Sequence, residues 1–257
     1  MAMQSRDELK TILENFGGFT ADMLYDDLII IPDKDSDFNK SEYNKFIVAY
    51  SLLNTNGLTA DLLRKYIASI GKVGEEKLER MKNNLLSNFP DWVGMSSPNS
   101  DTSKNHIKFY LSVDNSSLHA FGVNFLQECL DKGLQDFDFK INNNGKVNRR
   151  DNVVIYCNED NIGSYYDAIK DTMSKNPGIK LNAPHLLGIR CNDYIYCGTD
   201  YENGQVSYTD NVCKMIFKSL NNQSSPDEIA DRIEEFKDKK GPEIFALMDH
   251  SNRKNKR

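Results

Sequence analysis

The chain has 257 residues, of which 39% are hydrophobic and 10% aromatic, with a net charge of -6 at pH 7. That composition supports one good hydrophobic core, with or without a small helical appendage. The acidic balance excludes a generally basic nucleic-acid-binding protein, yet it leaves room for a local basic pocket, because local geometry decides that.

No apolar run reaches the ~18 residues needed to cross a membrane. Met1 to Lys10 is polar and lacks the apolar stretch of a Sec signal. The expected location is therefore the cytoplasm, or a host cell reached without a Sec signal. The five cysteines, Cys129, Cys157, Cys191, Cys197 and Cys213, show no CxxC spacing. They read as buried free thiols in a reducing compartment, with no metal site and no cofactor.

The first hundred residues read as a helical N-terminal region, and residues 101–257 as an α+β domain. Asp7 to Phe16 is a short amphipathic segment that stops at Gly17-Gly18. Tyr43 to Leu53 and Leu58 to Ile70 carry apolar residues at helical spacing. Glu76 to Phe89 does the same and ends before Pro90. After Trp92, the stretch GMSSPNSDTSKN, Gly94 to Asn105, is rich in Ser, Asn and Asp and reads as a boundary or loop.

The period then changes to two. In His106 to Val113, residues Ile107, Phe109, Leu111 and Val113 point one way, and His106, Lys108, Tyr110 and Ser112 the other. A helix follows, with Leu118, Phe121, Phe125, Leu126, Cys129 and Leu130 on one face. A second strand, DFDFKIN, places Phe137, Phe139 and Ile141 in the core. After the turn Asn143-Asn144-Gly145, Asn152 to Cys157 is a third strand. So short a link predicts an antiparallel hairpin and a mainly antiparallel sheet flanked by helices. Asn161 to Met173 reads as a helix, Tyr194 to Cys197 as a strand, and Tyr208 to Leu220 as a helix. Pro226 to Lys239 reads as another helix behind a Ser224-Ser225 cap, before a basic, frayed tail.

The polar faces of the three strands offer Lys108, Tyr110, Lys140 and Tyr156, with Arg149 and Arg150 just ahead of the third strand. Neighbouring strands would gather four cations and two phenols on one surface. The alternative is an ordinary solvated sheet face, where Lys and Tyr are common.

The order of these pieces resembles the phosphothreonine lyase family, type III effectors of the SpvC and OspF kind, with more distant HopA-type effectors and the lyase domains of lanthipeptide synthetases. The resemblance covers roughly Asn105 to Met215. It lies in Lys108-Phe109-Tyr110, Phe139-Lys140-Ile141, Arg150 ahead of the strand ending in Tyr156, and Val206-Ser207-Tyr208. Two positions depart from the family. Tyr110 stands where the effectors carry the histidine proposed as general acid, and Thr209 stands where they carry an arginine. Arg190 or Lys214 would have to compensate for the second.

The resemblance implies β-elimination of phosphate from phosphothreonine or phosphoserine in a protein or peptide, in virulence or in peptide dehydration. Such a reaction needs a base, a phosphate clamp and an acid, and no metal or redox cofactor. Lys140 is the expected base, its pKa lowered by Lys108 and Arg150. Arg149 and Arg150 grip phosphate, Lys108 adds charge, Tyr110 donates to the leaving oxygen, and Tyr156 orients Lys140 or the phosphate. Expected partners are a phosphorylated protein or peptide, and a secretion chaperone, kinase or host protein. No nucleic acid or membrane is expected.

A second reading, a phosphopeptide- or partner-binding module without turnover, is favoured by Tyr110 and Thr209. No GxSxG supports Ser/His/Asp hydrolysis, and no signature flanks Cys191 or Cys197. Among the histidines, His106 reads as a strand-edge surface residue, His119 as structural, and His185 lies in a proline loop that frames substrate in the resembled family.

Overall fold

A computed structural model describes residues 2–32, 38–85, 91–101, 103–143, 145, 147–200 and 206–254. It is α+β. Among the described residues six strands form one sheet in which every pairing is antiparallel. The strands are β1 (Trp92–Ser96), β2 (Ile107–Leu111), β3 (Asp138–Asn142), β4 (Val153–Cys157), β5 (Ile189–Arg190) and β6 (Tyr196–Thr199), in the spatial order β1-β3-β4-β2-β6-β5.

The predicted hairpin is present as β3 and β4, with Lys140 opposite Val154 and Asp138 opposite Tyr156. The segment read as a boundary loop begins inside β1, which pairs with β3 from Trp92 opposite Asn142 to Ser96 opposite Asp138. The strand, WVGMS, alternates a buried Val93 and Met95 with Trp92, Gly94 and Ser96. The period-two signal was there, but only two apolar residues carry it before the polar run begins.

The apolar face of the sheet carries Phe109, Phe139, Ile141, Val153 and Ile155. It packs against α3 (Lys40–Asn56), α6 (Leu118–Asp131) and α7 (Ile162–Lys175). Behind α3 lie α4 (Ala60–Ile70) and α5 (Glu75–Leu85), which share a smaller cluster of Val48, Ala49, Ile70 and Leu78. The other face is covered as well. Here α1 (Ala2–Asn15), α2 (Ala21–Ile29), α8 (Tyr208–Asn221) and α9 (Pro226–Lys254) bury Leu9, Leu13, Leu28, Val212 and Ile229 over Tyr110, Val154 and Tyr196. The expected solvated face is therefore buried across β2, whose five residues are all inside.

Three helices run longer than their periodicity suggests, and α3 extends three residues beyond the expected Tyr43 to Leu53 at each end. The N-terminal helix begins at Ala2, not Asp7. Helix α9 opens with a reciprocal cap, Ser225 Oγ accepting from the Glu228 amide at 3.2 Å while the Ser225 amide donates to Glu228 at 3.0 Å. It then passes Gly241 and Pro242 and continues to Lys254, absorbing the tail expected to fray up to that residue. Proline removes one intrahelical bond. That loss is offset by packing of Ile244, Met248 and Ser251, with Ser251 Oγ accepting from the Gly163 amide at 3.3 Å and donating to the Asp160 carbonyl at 2.8 Å. All five cysteines are free and buried. Among the described residues no helix is long and apolar enough to cross a membrane.

Candidate functional site

Strand register brings part of the expected constellation together. One row across the sheet reads Ser96, Asp138, Tyr156, Lys108 and Gly198, and the next reads Gly94, Lys140, Val154, Tyr110, Tyr196 and Arg190. Helices close this face over β2 and β6 but leave it open over β1 and β3, where Gly94 and Ser96 are exposed and Lys140, Trp92 and Tyr156 are half-buried. The open part is a shelf with Lys140 in its middle.

The Lys140 ammonium lies 4.3 Å from the centroid of the Trp92 ring and 6.0 Å from that of Tyr156. Among the described residues no carboxylate forms an ion pair with it. Its pKa is lowered, first by burial, then by Lys108 and Arg149, while Asp151 and Asp200 act the other way. The cation expected to help, Arg150, is not among these causes; its neighbour Arg149 takes that role. Arg149 Cζ lies 5.3 Å from the Trp92 ring centroid, and its Nε donates to Asp151 at 2.9 Å. The Arg149 backbone bridges to Ile30 at the end of α2, so that helix sets where the arginine sits.

Lys108 forms a buried ion pair with Asp200 at 2.6 Å and stands 5.2 Å from the Tyr156 ring centroid. Asp200 also accepts the Tyr208 amide at 2.9 Å, at the start of α8. Burial raises the Tyr156 phenol, aided by Asp138, Asp200 and Asp151, and keeps it protonated. Ser96 Oγ donates to Asp138 at 2.5 Å. The surface is thus not a bare basic patch: Lys108, Lys140 and Arg149 alternate with Asp138, Asp151 and Asp200.

Three expected site residues lie off the shelf. Arg150 is buried, donating to Glu8 of α1 and to the Pro184 carbonyl at 3.1 Å. Arg190 is on the opposite sheet edge, paired with Asp193, roughly 19 Å from Lys140 at about 4.8 Å per strand. Tyr110 is buried against His185, ring centroids 4.6 Å apart, and burial raises its pKa well above the ordinary value. Its hydroxyl and that of Thr209 are buried beside each other, neither in a hydrogen bond of normal geometry.

His185 is wholly buried, and its Nδ1 accepts the amides of Leu187 at 3.3 Å and Gly188 at 2.9 Å. Burial lowers its pKa to about 4, so it is neutral at pH 7. Trp92, Gly94, Asp151 and Asp200 also belong to this surface and are not among the site residues that the sequence predicts. Only Trp92, the single tryptophan in the chain, carried a signal that could have marked it.

No protein-family model matches this sequence, and no curated protein matches it. The structure is similar to a solved effector protein from Pseudomonas syringae pv. syringae strain 61, with a TM-score of 0.60 over 91% of this chain and 93% of that one. At 11% sequence identity this is a likeness of fold.

Proposed function

We propose that this chain is a bacterial effector of the phosphothreonine/phosphoserine lyase-like kind, eliminating phosphate from a protein or peptide at the Lys140 shelf. The single observation that carries the reading is Lys140 itself. It is a half-buried lysine of lowered pKa, unpaired among the described residues, beside two further cations and open to solvent over Gly94. A lysine held that way is suited to accept a proton. The fold likeness to a Pseudomonas syringae effector supports the effector context.

In the proposed reaction neutral Lys140 takes the proton from Cα, the C–H electron pair forms the Cα–Cβ double bond, and the Cβ–O bond breaks with its electrons on phosphate. Arg149 and Lys108 face the leaving group. Tyr156, kept protonated and lying between Lys140 and Lys108, supplies the proton in place of the buried Tyr110.

The test is mass spectrometry of phosphothreonine and phosphoserine peptides incubated with the protein and with Lys140→Ala. Loss of one phosphoric acid per site, absent in the variant, is expected. Loss of the phosphoryl group with the hydroxyl retained would indicate hydrolysis and overturn elimination.

The second reading, phosphopeptide binding without turnover, is favoured by one observation: Lys108 and Arg149 already hold carboxylates, so the shelf carries little excess positive charge. Binding by both the protein and Lys140→Ala, with no mass change in either, would select it.

A further inference from the structure

Strand β1 is an edge of the sheet, and its hydrogen bonds alternate in direction. Ser97 donates to Phe137 at 2.9 Å and Asn143 donates to the Asp91 carbonyl at 2.8 Å. These bonds place residues 91, 93, 95 and 97 in the hydrogen-bonded pairs with β3. By the alternation of antiparallel ladders, the amides and carbonyls of Trp92, Gly94 and Ser96 point away from β3. The Ser96 carbonyl does so visibly, since it accepts from Tyr50 of α3 at 3.0 Å. Among the described residues nothing bonds the outward groups of Trp92 and Gly94.

The same three residues put their side chains on the Lys140 face. Gly94 pairs directly with Lys140, is exposed, and has nothing within 4 Å of where a Cβ would stand. Lys140 leans toward β1, because its ammonium sits over the Trp92 ring. Edge strands of folded proteins are commonly blunted by charge or proline. WVGMS contains neither.

We infer that β1 is a strand-addition site, on which an extended peptide segment pairs with Trp92 and Gly94 and delivers one side chain across Gly94 to Lys140. A residue opposite Gly94 in the added strand would share its row and its face with Lys140, with no side chain between them. Main-chain pairing supplies register without regard to sequence, and the shelf selects the one side chain that enters it. The occupant is thus an extended, loop-like stretch of a partner protein bearing an anionic side chain at the paired position. This inference rests on the reading of the shelf as the seat of the phosphorylated residue.

The test uses the whole chain and a degenerate pool of short peptides centred on phosphothreonine, with the unphosphorylated pool beside it. Amide hydrogen exchange should slow at Trp92 and Gly94 and stay unchanged at Val93 and Met95. Gly94→Pro removes the outward amide at an edge position that tolerates proline. Gly94→Ala keeps the amide but adds a methyl group to the crossing, so both variants should weaken peptide binding, and Gly94→Pro by roughly a further three- to tenfold, the range for one lost hydrogen bond. If the Lys140 side-chain signal responds to peptide while the Trp92 and Gly94 amides do not, or if the two variants bind alike, strand addition is overturned and the shelf reading stands. Equal protection by the unphosphorylated pool would keep strand addition and remove phosphate from the shelf reading. No response at either position overturns both.

Discussion

Lys140 and Trp92 sit on adjacent strands, and the lysine ammonium lies 4.3 Å from the centroid of the indole ring. The contact has two opposed effects. An aromatic face attracts a cation, which favours the ammonium. The same ring keeps water away, which favours the amine. Burial is the first cause that lowers the Lys140 pKa, and the indole, at this distance, forms part of that cover.

Trp92→Ala is therefore expected to raise the Lys140 pKa toward the ordinary lysine value. Carbon-13 NMR of the labelled lysine ε-carbon through an alkaline titration reads this directly. An unchanged or lower pKa would mean that the indole attracts the ammonium more than it dries it.

His185 should make stability depend on pH. Its folded pKa of about 4 is depressed below the ordinary value of about 6.5, so between these the unfolded chain binds more protons. The stabilisation is complete above about pH 6.5 and is lost as pH falls toward about 4, amounting to roughly 3 kcal/mol over the window. His185→Asn retains an acceptor for the Leu187 and Gly188 amides without titrating. Urea unfolding at several pH values should show a steeper loss in the parent than in this variant.

Asp200→Asn should destabilise the fold by about 3–5 kcal/mol, because it leaves the buried Lys108 ammonium without its counter-charge. Pairing it with Lys108→Met should recover most of that loss. Thermal unfolding of the two variants checks this, and equal stability would show that water already screens the pair.

Gly163→Ala tests the docking of the C-terminal helix. An added Cβ would stand 2.5 Å from the Met248 carbonyl oxygen, a backbone atom of α9 that cannot turn aside. The expected cost is about 1–3 kcal/mol, in the range for overpacking. Faster proteolysis between Lys239 and Lys254 than in the parent would place the loss at α9. Unaltered cleavage there would mean that α7 and α9 separate at little cost.

The elements with clean periodicity are legible in the amino-acid order alone. Strand β2, the β3–β4 hairpin and helix α6 repeat their apolar residues at two- or nearly four-residue spacing, and burying them leaves one orientation for each. The faces followed from the same pattern, so Lys108, Lys140 and Tyr156 share a face in the structure as expected. The alternation of Phe139 and Ile141 around Lys140 is enough to place that lysine opposite the core.

Which part of that face meets water is set by how the helices pack over it. Tyr110 and Tyr156 look alike in sequence, each flanked by apolar residues in a strand. One lies under α8 and the other beside the open edge, a difference set by helices far along the chain. Arg149 and Arg150 are neighbours, yet α2 holds the first at the shelf while Glu8 of α1 draws the second into the interior. Strand β1 has too few apolar residues to declare itself, and it becomes a strand by pairing with β3. Local spacing encodes which way a side chain points; whether another layer covers it depends on residues far along the chain, which leave no periodic mark.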